Sequence, residues 1–330
     1  MEKEILVKAE NLKKWFPVSA GFFSTLISRK QLYVRAVDGV SFEIRRGEIF
    51  GLAGESGSGK TTTGRMLLRL IEPTSGKIIL DNQDITKIPE SKLKPFRKRM
   101  QIVFQDPYES LNPRMKVFDI LAEPMQIQGS HKESEIEARV KKVLEDVQLV
   151  PAEEYIYRFP HELSGGQRQR VATARALVLD PEFIVADEPV SMLDVSIRAE
   201  VLNLMVDLMK KYQVSFLYIT HDLALARHIC DRVGVMYLGK IVELGSVDEV
   251  IINPMHPYTQ ALIAAVPLPD PTSRRIEVVI KGEIPSPINP PSGCRFHTRC
   301  PKYIGNICRT SEPQLIDVGK GQLVACHLYK

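Results

Sequence analysis

An α/β fold built on a mostly parallel sheet is what this sequence predicts, and three observations predict it. Residues 1 to about 250 alternate short β-branched and apolar runs with longer helical patterns, the grammar of βαβ units. One apolar run, Glu48–Ala53, leads straight into a glycine-rich turn that opens a helical stretch. Another, Phe183–Ala186, ends in two adjacent acids, Asp187 and Glu188.

The 330 residues allow about two domains. With 44% apolar, 25% charged and 7% aromatic residues, the composition excludes disorder, collagen-like repeats and a disulfide scaffold. A net charge of +4 over such a length names no nucleic-acid partner. No window approaches the roughly 18 apolar residues of a membrane-spanning helix; even Ala261–Leu268 is cut short by Pro267, Pro269 and Asp270. The start, Met1-Glu-Lys-Glu, has no apolar signal region, so a cytoplasmic location is expected.

After the strand at Glu48–Ala53 come Gly54, Glu55, Ser56, Gly57, Ser58, Gly59, Lys60, Thr61 and Thr62, which fit the phosphate-loop pattern in its proper strand-to-helix setting. Glycines let backbone N–H groups converge on phosphates, Lys60 reaches toward the β and γ oxygens, and Thr61 offers a hydroxyl to Mg²⁺. Between 131 and 150, Ile136, Val140, Val143, Leu144 and Val147 recur at helical spacing and predict a half-exposed amphipathic helix, part of a helical insertion. Leu163-Ser164-Gly165-Gly166-Gln167 precedes a strongly helical run, and a helix N-terminus of this kind is either a second anion site or an ordinary N-cap.

The acid pair sits where doubly wound sheets bind ligands, so Asp187 suits Mg²⁺ and Glu188 suits a general base. A further strand, Ser215–Thr220, ends at His221. From Asn253 onward prolines multiply (Pro254, Pro257, Pro267, Pro269, Pro271, Pro285, Pro287, Pro290, Pro291), predicting an extended appendage in place of a sheet core. Four of the five cysteines, Cys294, Cys300, Cys308 and Cys326, crowd its end, while Cys230 stands alone and reads as a buried thiol. In a reducing compartment such crowding points to metal more than to disulfides. The spacing fits zinc and an iron–sulphur cluster about equally, and the neighbouring His297 and His327 read as surface residues, with substitute metal ligand as the alternative.

The ordered set Gly54–Thr61, Gln105, Leu163–Gln167, Asp187–Glu188 and His221 resembles the nucleotide-binding subunit of an ABC transporter over residues 1 to about 250. The resemblance implies a P-loop NTPase fold, the ABC-type nucleotide-binding domain, spanning 1–252 with a helical subdomain at about 105–165. It implies ATP and Mg²⁺ as ligands. Phe16 would stack on adenine, with Trp15 or Tyr33 as alternatives; Gln105 would touch Mg²⁺ and the attacking water; His221 would contact the γ-phosphate. Leu193 and Asp194 match the loop that crosses to a partner, with Met192 where a small residue is commoner. Ser164, Gly165, Gly166 and Gln167 would bind the γ-phosphate of ATP held by the opposite subunit of a head-to-tail dimer.

Gln105-Asp-Pro-Tyr-Glu-Ser-Leu-Asn-Pro-Arg114 and His256-Pro-Tyr-Thr-Gln-Ala-Leu262 narrow the resemblance to the ATP-binding subunits of dipeptide and oligopeptide importers, a subfamily that also serves nickel and oligosaccharides. It implies two membrane permease subunits gripping the 105–114 stretch, an extracellular solute-binding protein, and a place on the cytoplasmic face of the membrane. With Gly282-Glu-Ile-Pro-Ser-Pro287 it implies a [4Fe-4S] cluster on the four tail cysteines of a 253–330 extension. The competing reading is a soluble ABC ATPase acting on nucleic acid or ribosomes, for which the basic stretch Lys92–Arg99 is the only support. Lys60 and Ser164 lie only 104 positions apart, too few for the long coiled coil of DNA-repair relatives.

Overall fold

An apolar run has its backbone N–H and C=O groups satisfied by flanking strands, and the computed structural model shows where those strands are. It describes residues 3–18, 31–129, 132–265, 280 and 282–329; Pro267, Pro269, Pro271 and the Met1 start lie outside them. The strands are β1 (Ile5–Pro17), β2 (Tyr33–Arg45), β3 (Ile49–Ala53), β4 (Ser75–Leu80), β5 (Gln83–Asp84), β6 (Met100–Val103), β7 (Phe183–Asp187), β8 (Ser215–Thr220), β9 (Arg232–Tyr237), β10 (Lys240–Ser246), β11 (Ile316–Asp317) and β12 (Leu323–Val324). The chain divides into two compact units: Met1–Leu6, Ile44–Ile49 and Lys87–Ile219 form the first, and Val7–Glu43, Phe50–Thr86 and Thr220–Lys330 the second.

In the first unit β6, β7 and β8 run parallel, with Met100 opposite Phe183 and Phe183 opposite Ser215. Every residue of β7 and β8 is buried, as continuous apolar runs in a doubly covered parallel sheet require. Between β6 and β7 come the helices Val117–Gln128, Glu133–Asp146 and Gly165–Leu177, which pack on one another. The Glu133–Asp146 helix buries Ile136, Val140, Val143 and Leu144, with Val147 buried just past its end. The spacing read from the sequence therefore marks a real apolar face.

The second unit departs from the mostly parallel expectation. It holds an antiparallel sheet in the order β2-β1-β4-β5, and the pairing of β9 with β10 is antiparallel too, while β3 and β9 are parallel. In β2, buried Val40, Phe42 and Ile44 alternate with Ser41, Glu43 and Arg45, the period of a strand covered on one face. That alternation was in the sequence and outweighs the general βαβ pattern.

The tail departs from expectation as well. It is not wholly an extended appendage, because β12 pairs with β10 and β11 with β12, placing Leu323 opposite Leu244 and Ile316 opposite Val324. Prolines dominate the early tail and leave 314–326 free to pair. Two-residue strands of this kind survive only by adding to an existing edge.

The tail also closes over a buried carboxylate. Glu243, on β10, is fully buried and accepts hydrogen bonds from the N–H groups of Met255 (2.8 Å) and His256 (2.9 Å) and from Gln322 Nε2 (2.7 Å). His256 beside it is 1% exposed, and its Nδ1 accepts from the Tyr258 N–H at 3.1 Å. Burial pushes its imidazole down to about 3 from 6.5. Because the folded protein disfavours the proton that the unfolded chain binds, this contribution to stability is fully present above about pH 6.5 and is lost as pH falls through about 3. The thermal midpoint of the protein is expected to fall more steeply below pH 6.5 than that of His256→Asn, whose amide oxygen keeps the acceptor without a titrating ring. Superimposable pH profiles would contradict a buried neutral His256.

Candidate functional site

The second unit holds the phosphate loop. Gly54 follows β3 at φ 149° and Gly59 caps the helix Lys60–Leu67 at φ 106°. A Cβ at Gly54 would overlap the Met236 carbonyl oxygen, and one at Gly59 the Ala36 carbonyl oxygen. Only glycine lets the chain pass that close to two neighbouring strands. Gly57, also at positive φ, and Ser56 are exposed at the crest of the turn, while Ser58 is buried and its N–H donates to the Glu55 carbonyl. Lys60 is 5% exposed, and its ammonium donates to the carbonyl oxygens of Gly54 (2.7 Å) and Glu55 (3.0 Å). Thr61 and Thr62 are half-buried in the first helical turn. The result is an anion cradle formed in advance: a turn of amides, an ammonium and a helix N-terminus with no acidic residue in its first turn.

The three aromatic alternatives are separated by their surroundings. Trp15 donates its indole N–H to Asp38 Oδ1 at 3.0 Å and has the Arg35 guanidinium 4.7 Å from its ring centroid. Phe16 is 37% exposed and Tyr33 40%. Trp15 is thus committed to structure, while Phe16, with the Lys14 ammonium 5.1 Å from its ring centroid, and Tyr33, tilted against Trp15 at 6.3 Å, stay partly exposed. His221 is exposed at the end of β8, and Asp222 after it caps the helix Leu223–Ile229 by accepting from the N–H groups of Ala224 (2.8 Å) and Leu225 (3.2 Å).

The first unit holds the acids. Asp187 is 4% exposed as the last residue of β7. Glu188 takes φ 46°, rare for a residue with a side chain, while its N–H donates to the Ile219 carbonyl at 3.0 Å and its carbonyl accepts from the Ser191 N–H at 3.1 Å. Backbone strain of this kind costs about 1–3 kcal/mol and collects at working sites. Here it turns the carboxylate toward Gln105, whose Nε2 donates to Glu188 Oε2 at 3.4 Å. The structure therefore brings together two residues that lie 83 positions apart.

Ser164 caps the helix Gly165–Leu177. Its Oγ accepts from the Gln167 N–H at 3.3 Å, and Gln167 Oε1 accepts from the Ser164 N–H at 3.0 Å, a reciprocal capping box. The N-cap alternative is thus what the isolated chain displays. It leaves the hydroxyl proton of Ser164 and the amide NH₂ of Gln167 as donors at a helix N-terminus, so capping and anion binding are compatible. Gly166 is buried where a Cβ would press on Ile197, and a Cβ on Gly165 would sit 3.5 Å from Leu193. Leu193 is buried and its carbonyl accepts from Arg198 Nε at 2.8 Å, while Met192 and Asp194 are exposed.

The tail cysteines are all free thiols. Burial pushes the Cys294 thiol up to about 12, with Cys326, Cys300 and Cys308 adding to the rise. Yet among the described residues no group of three or more His, Cys, Asp or Glu is disposed to hold a metal ion. His327 corrects the sequence expectation of a surface histidine: it is 6% exposed, with Nε2 2.8 Å from the Ser311 carbonyl. His297 is half-buried against the Cys294 carbonyl at 2.8 Å.

Sequence reasoning missed the residues that tie the tail to the phosphate loop. Glu55 donates its N–H to the Tyr258 hydroxyl at 2.9 Å and pairs its carboxylate with Arg299 Nη1 at 3.1 Å. Arg295 makes a buried ion pair with Asp38 and donates to the Leu238 carbonyl. None of these contacts has a local spacing signal.

The ABC transporter family profile matches residues 37–191, and that of the oligopeptide/dipeptide transporter C-terminal region matches 242–308. The chain is 48% identical over 99% of its length to the oligopeptide transport ATP-binding protein AppF of Bacillus subtilis, covering 98% of that protein. It is 52% identical over 89% of its length, and 92% of the other chain, to a Brucella ovis protein named for peptide import. Among solved structures it is similar to an ATP-binding cassette captured as a dimer in a post-hydrolysis state with ADP and Pi (27% identity, TM-score 0.63, 73% of this chain and 99% of that one). It is also similar to cbiO1 of Clostridium perfringens, part of an ABC transporter complex (28% identity, TM-score 0.64, 76% of this chain and 92% of that one). A P-loop fold with this cassette's order of motifs and near-full-length relatives leads to one conclusion: the chain belongs to the ABC transporter family, among the ATP-binding proteins that carry the oligopeptide/dipeptide transporter C-terminal region.

Proposed function

We propose that this chain is the ATP-binding and ATP-hydrolysing subunit that powers an importer of peptides or a related solute. The observation that carries the reading is the preformed phosphate loop at Gly54–Thr62 in a chain whose near-full-length relatives are named for peptide import. Residues 1–252 form the nucleotide-binding part and 253–330 the extension. No helix among the described residues is long and apolar enough to cross a membrane. By its likeness to transport ATP-binding proteins this subunit pairs with membrane permease subunits and sits against their cytoplasmic face.

The chemistry of the donor set fits Mg–ATP. By this reading Lys60 and the free amides of the loop in the second unit would hold the β and γ oxygens, Thr61 there would ligate Mg²⁺ and Phe16 would cover the adenine, while Gln105 and Asp187 in the first unit are the remaining residues that would hold Mg²⁺. Bound Mg²⁺ supplies charge neutralisation at the phosphate oxygens. Glu188, already oriented beside Gln105, takes the proton of the attacking water as its oxygen forms the bond to the γ-phosphorus and the bond to the ADP oxygen breaks. His221 holds the γ-phosphate from the end of β8. Ser164, Gly165, Gly166 and Gln167 complete the site from a second subunit, so each ATP is enclosed only when two chains meet head to tail.

Glu188→Gln is expected to lower the rate of phosphate release at least a hundredfold while leaving ATP affinity within about threefold and favouring ATP-dependent dimers on size-exclusion chromatography. Wild-type turnover would remove Glu188 from the base role. Lys60→Ala should weaken equilibrium ATP binding at least tenfold; unchanged affinity would contradict the phosphate-loop assignment.

For the tail, the finer reading is that Cys294, Cys300, Cys308 and Cys326 hold a [4Fe-4S] cluster, with Zn²⁺ as the alternative. What supports it is the crowding of four cysteines along a proline-rich segment with few apolar residues to fold around. Each ligand would be a thiolate, so loading releases protons and clips the segment. Anaerobic purification followed by iron, sulphide and zinc analysis is expected to find about four irons and four sulphides per chain, or one zinc. A full-length protein containing none of the three would end the metal reading.

A further inference from the structure

The tail reaches the nucleotide site at two points that neither the phosphate-loop motif nor the relatives' names account for. At the first, Glu55 is held by both of its polar ends: its N–H by the Tyr258 hydroxyl (2.9 Å) and its carboxylate by Arg299 Nη1 (3.1 Å). The Arg299 and Glu55 side chains are only 10% and 24% exposed, so this pair is poorly screened. Arg299 Nη1 also lies 3.4 Å from the Tyr237 hydroxyl, and Tyr237, Tyr258 and Phe296 pack as a cluster with ring centroids 4.7 to 5.4 Å apart. At the second point Arg295 pairs with Asp38, the same carboxylate that receives the Trp15 indole N–H beside Phe16. Two arginines four residues apart thus each hold one acid of the second unit, Glu55 in the phosphate loop and Asp38 beneath Trp15.

The charges explain why this matters. Glu55 is the second residue of a loop whose task is to bind a triphosphate, and a bare carboxylate there repels the ligand. A guanidinium fixed on that carboxylate cancels the repulsion and keeps it turned toward the tail. Meanwhile the Tyr258 hydroxyl occupies the Glu55 amide, so the anion-facing amides begin later in the turn.

We propose that Arg299, with Tyr258, is a positioning element of the nucleotide site: it neutralises Glu55 and fixes the first turn of the phosphate loop, making ATP affinity depend on the C-terminal region. The inference rests on reading Gly54–Thr62 as the nucleotide site. It adds that residues about 200 to 240 positions away set how tightly that site binds.

The test is equilibrium binding of a fluorescent ATP analogue to the full-length chain in four forms: wild type, Arg299→Gln, Glu55→Gln and the double variant, with thermal unfolding of each nucleotide-free protein as the folding control. Arg299→Gln is expected to weaken binding about tenfold at low salt, with the deficit shrinking toward about threefold in 0.5 M salt. Whatever Glu55→Gln itself costs, the double variant should bind within about twofold of Glu55→Gln, because removing the carboxylate removes the need for its partner. A merely structural Arg299 predicts a double variant weaker than Glu55→Gln by the full factor that Arg299→Gln costs in wild type. Wild-type affinity in Arg299→Gln, or that full additional loss in the double variant, overturns the proposal. Should Arg299→Gln not fold, Arg299→Lys replaces it: retained charge must keep affinity within about threefold, and a tenfold loss overturns the proposal. Lys60→Ala runs alongside. If it too binds normally, the nucleotide-site reading itself has failed; if it alone loses binding, only the role of Arg299 has.

Discussion

The close pass of the chain at Gly54 and Gly59 governs this molecule. At these positions the backbone turns out of β3 and into a helix with almost no room beside the carbonyl oxygens of Met236 and Ala36. That closeness forces the amides after Gly54 into one tight turn, and the turn is why an ammonium, a helix N-terminus and several N–H groups converge on one point. The preference for anions is built before any ligand arrives, because Lys60 is already folded back on the loop through the Gly54 and Glu55 carbonyls. Preorganised donors cost little to reorganise when charge develops against them.

A comparable economy operates in the first unit. The strand β7 carries Asp187 as its last buried residue, and the chain bends through a strained Glu188 held by backbone hydrogen bonds on both sides. A residue in that conformation cannot relax without breaking those bonds, so its carboxylate direction is set by the fold and Gln105 meets it there. Ser164 shows the same dual use: the oxygen that caps a helix leaves a proton to donate.

Much of this was legible before any coordinates. The phosphate loop, the acid pair, the amphipathic helix around Val140 and the strand Ser215–Thr220 each announce themselves within about twenty consecutive residues, through periodicity or dense motifs. What was hidden depends on distant partners. The antiparallel half of the second unit was visible only as the alternation in β2, which a βαβ reading overrides. The strands at Ile316 and Leu323 are two residues long and exist because β10 offers an edge. Arg299 and Glu55 lie 244 positions apart, Arg295 and Asp38 257, and no spacing rule links such residues. The burial of His327 was likewise missed, since a histidine beside a cysteine in a polar tail has no local mark of being inside.

The central claim is that the loop at Gly54–Thr62 and the helix end at Ser164 serve one nucleotide from two different chains. The structure of the Glu188→Gln protein with Mg–ATP, in the assembly it forms in solution, tests this most directly. The account predicts phosphates seated on the amides of Gly57 to Thr62, with the Ser164 hydroxyl of a second subunit within hydrogen-bond distance of the γ-phosphate. Triphosphate bound elsewhere, or Ser164 remote from every γ-phosphate in that assembly, would contradict it.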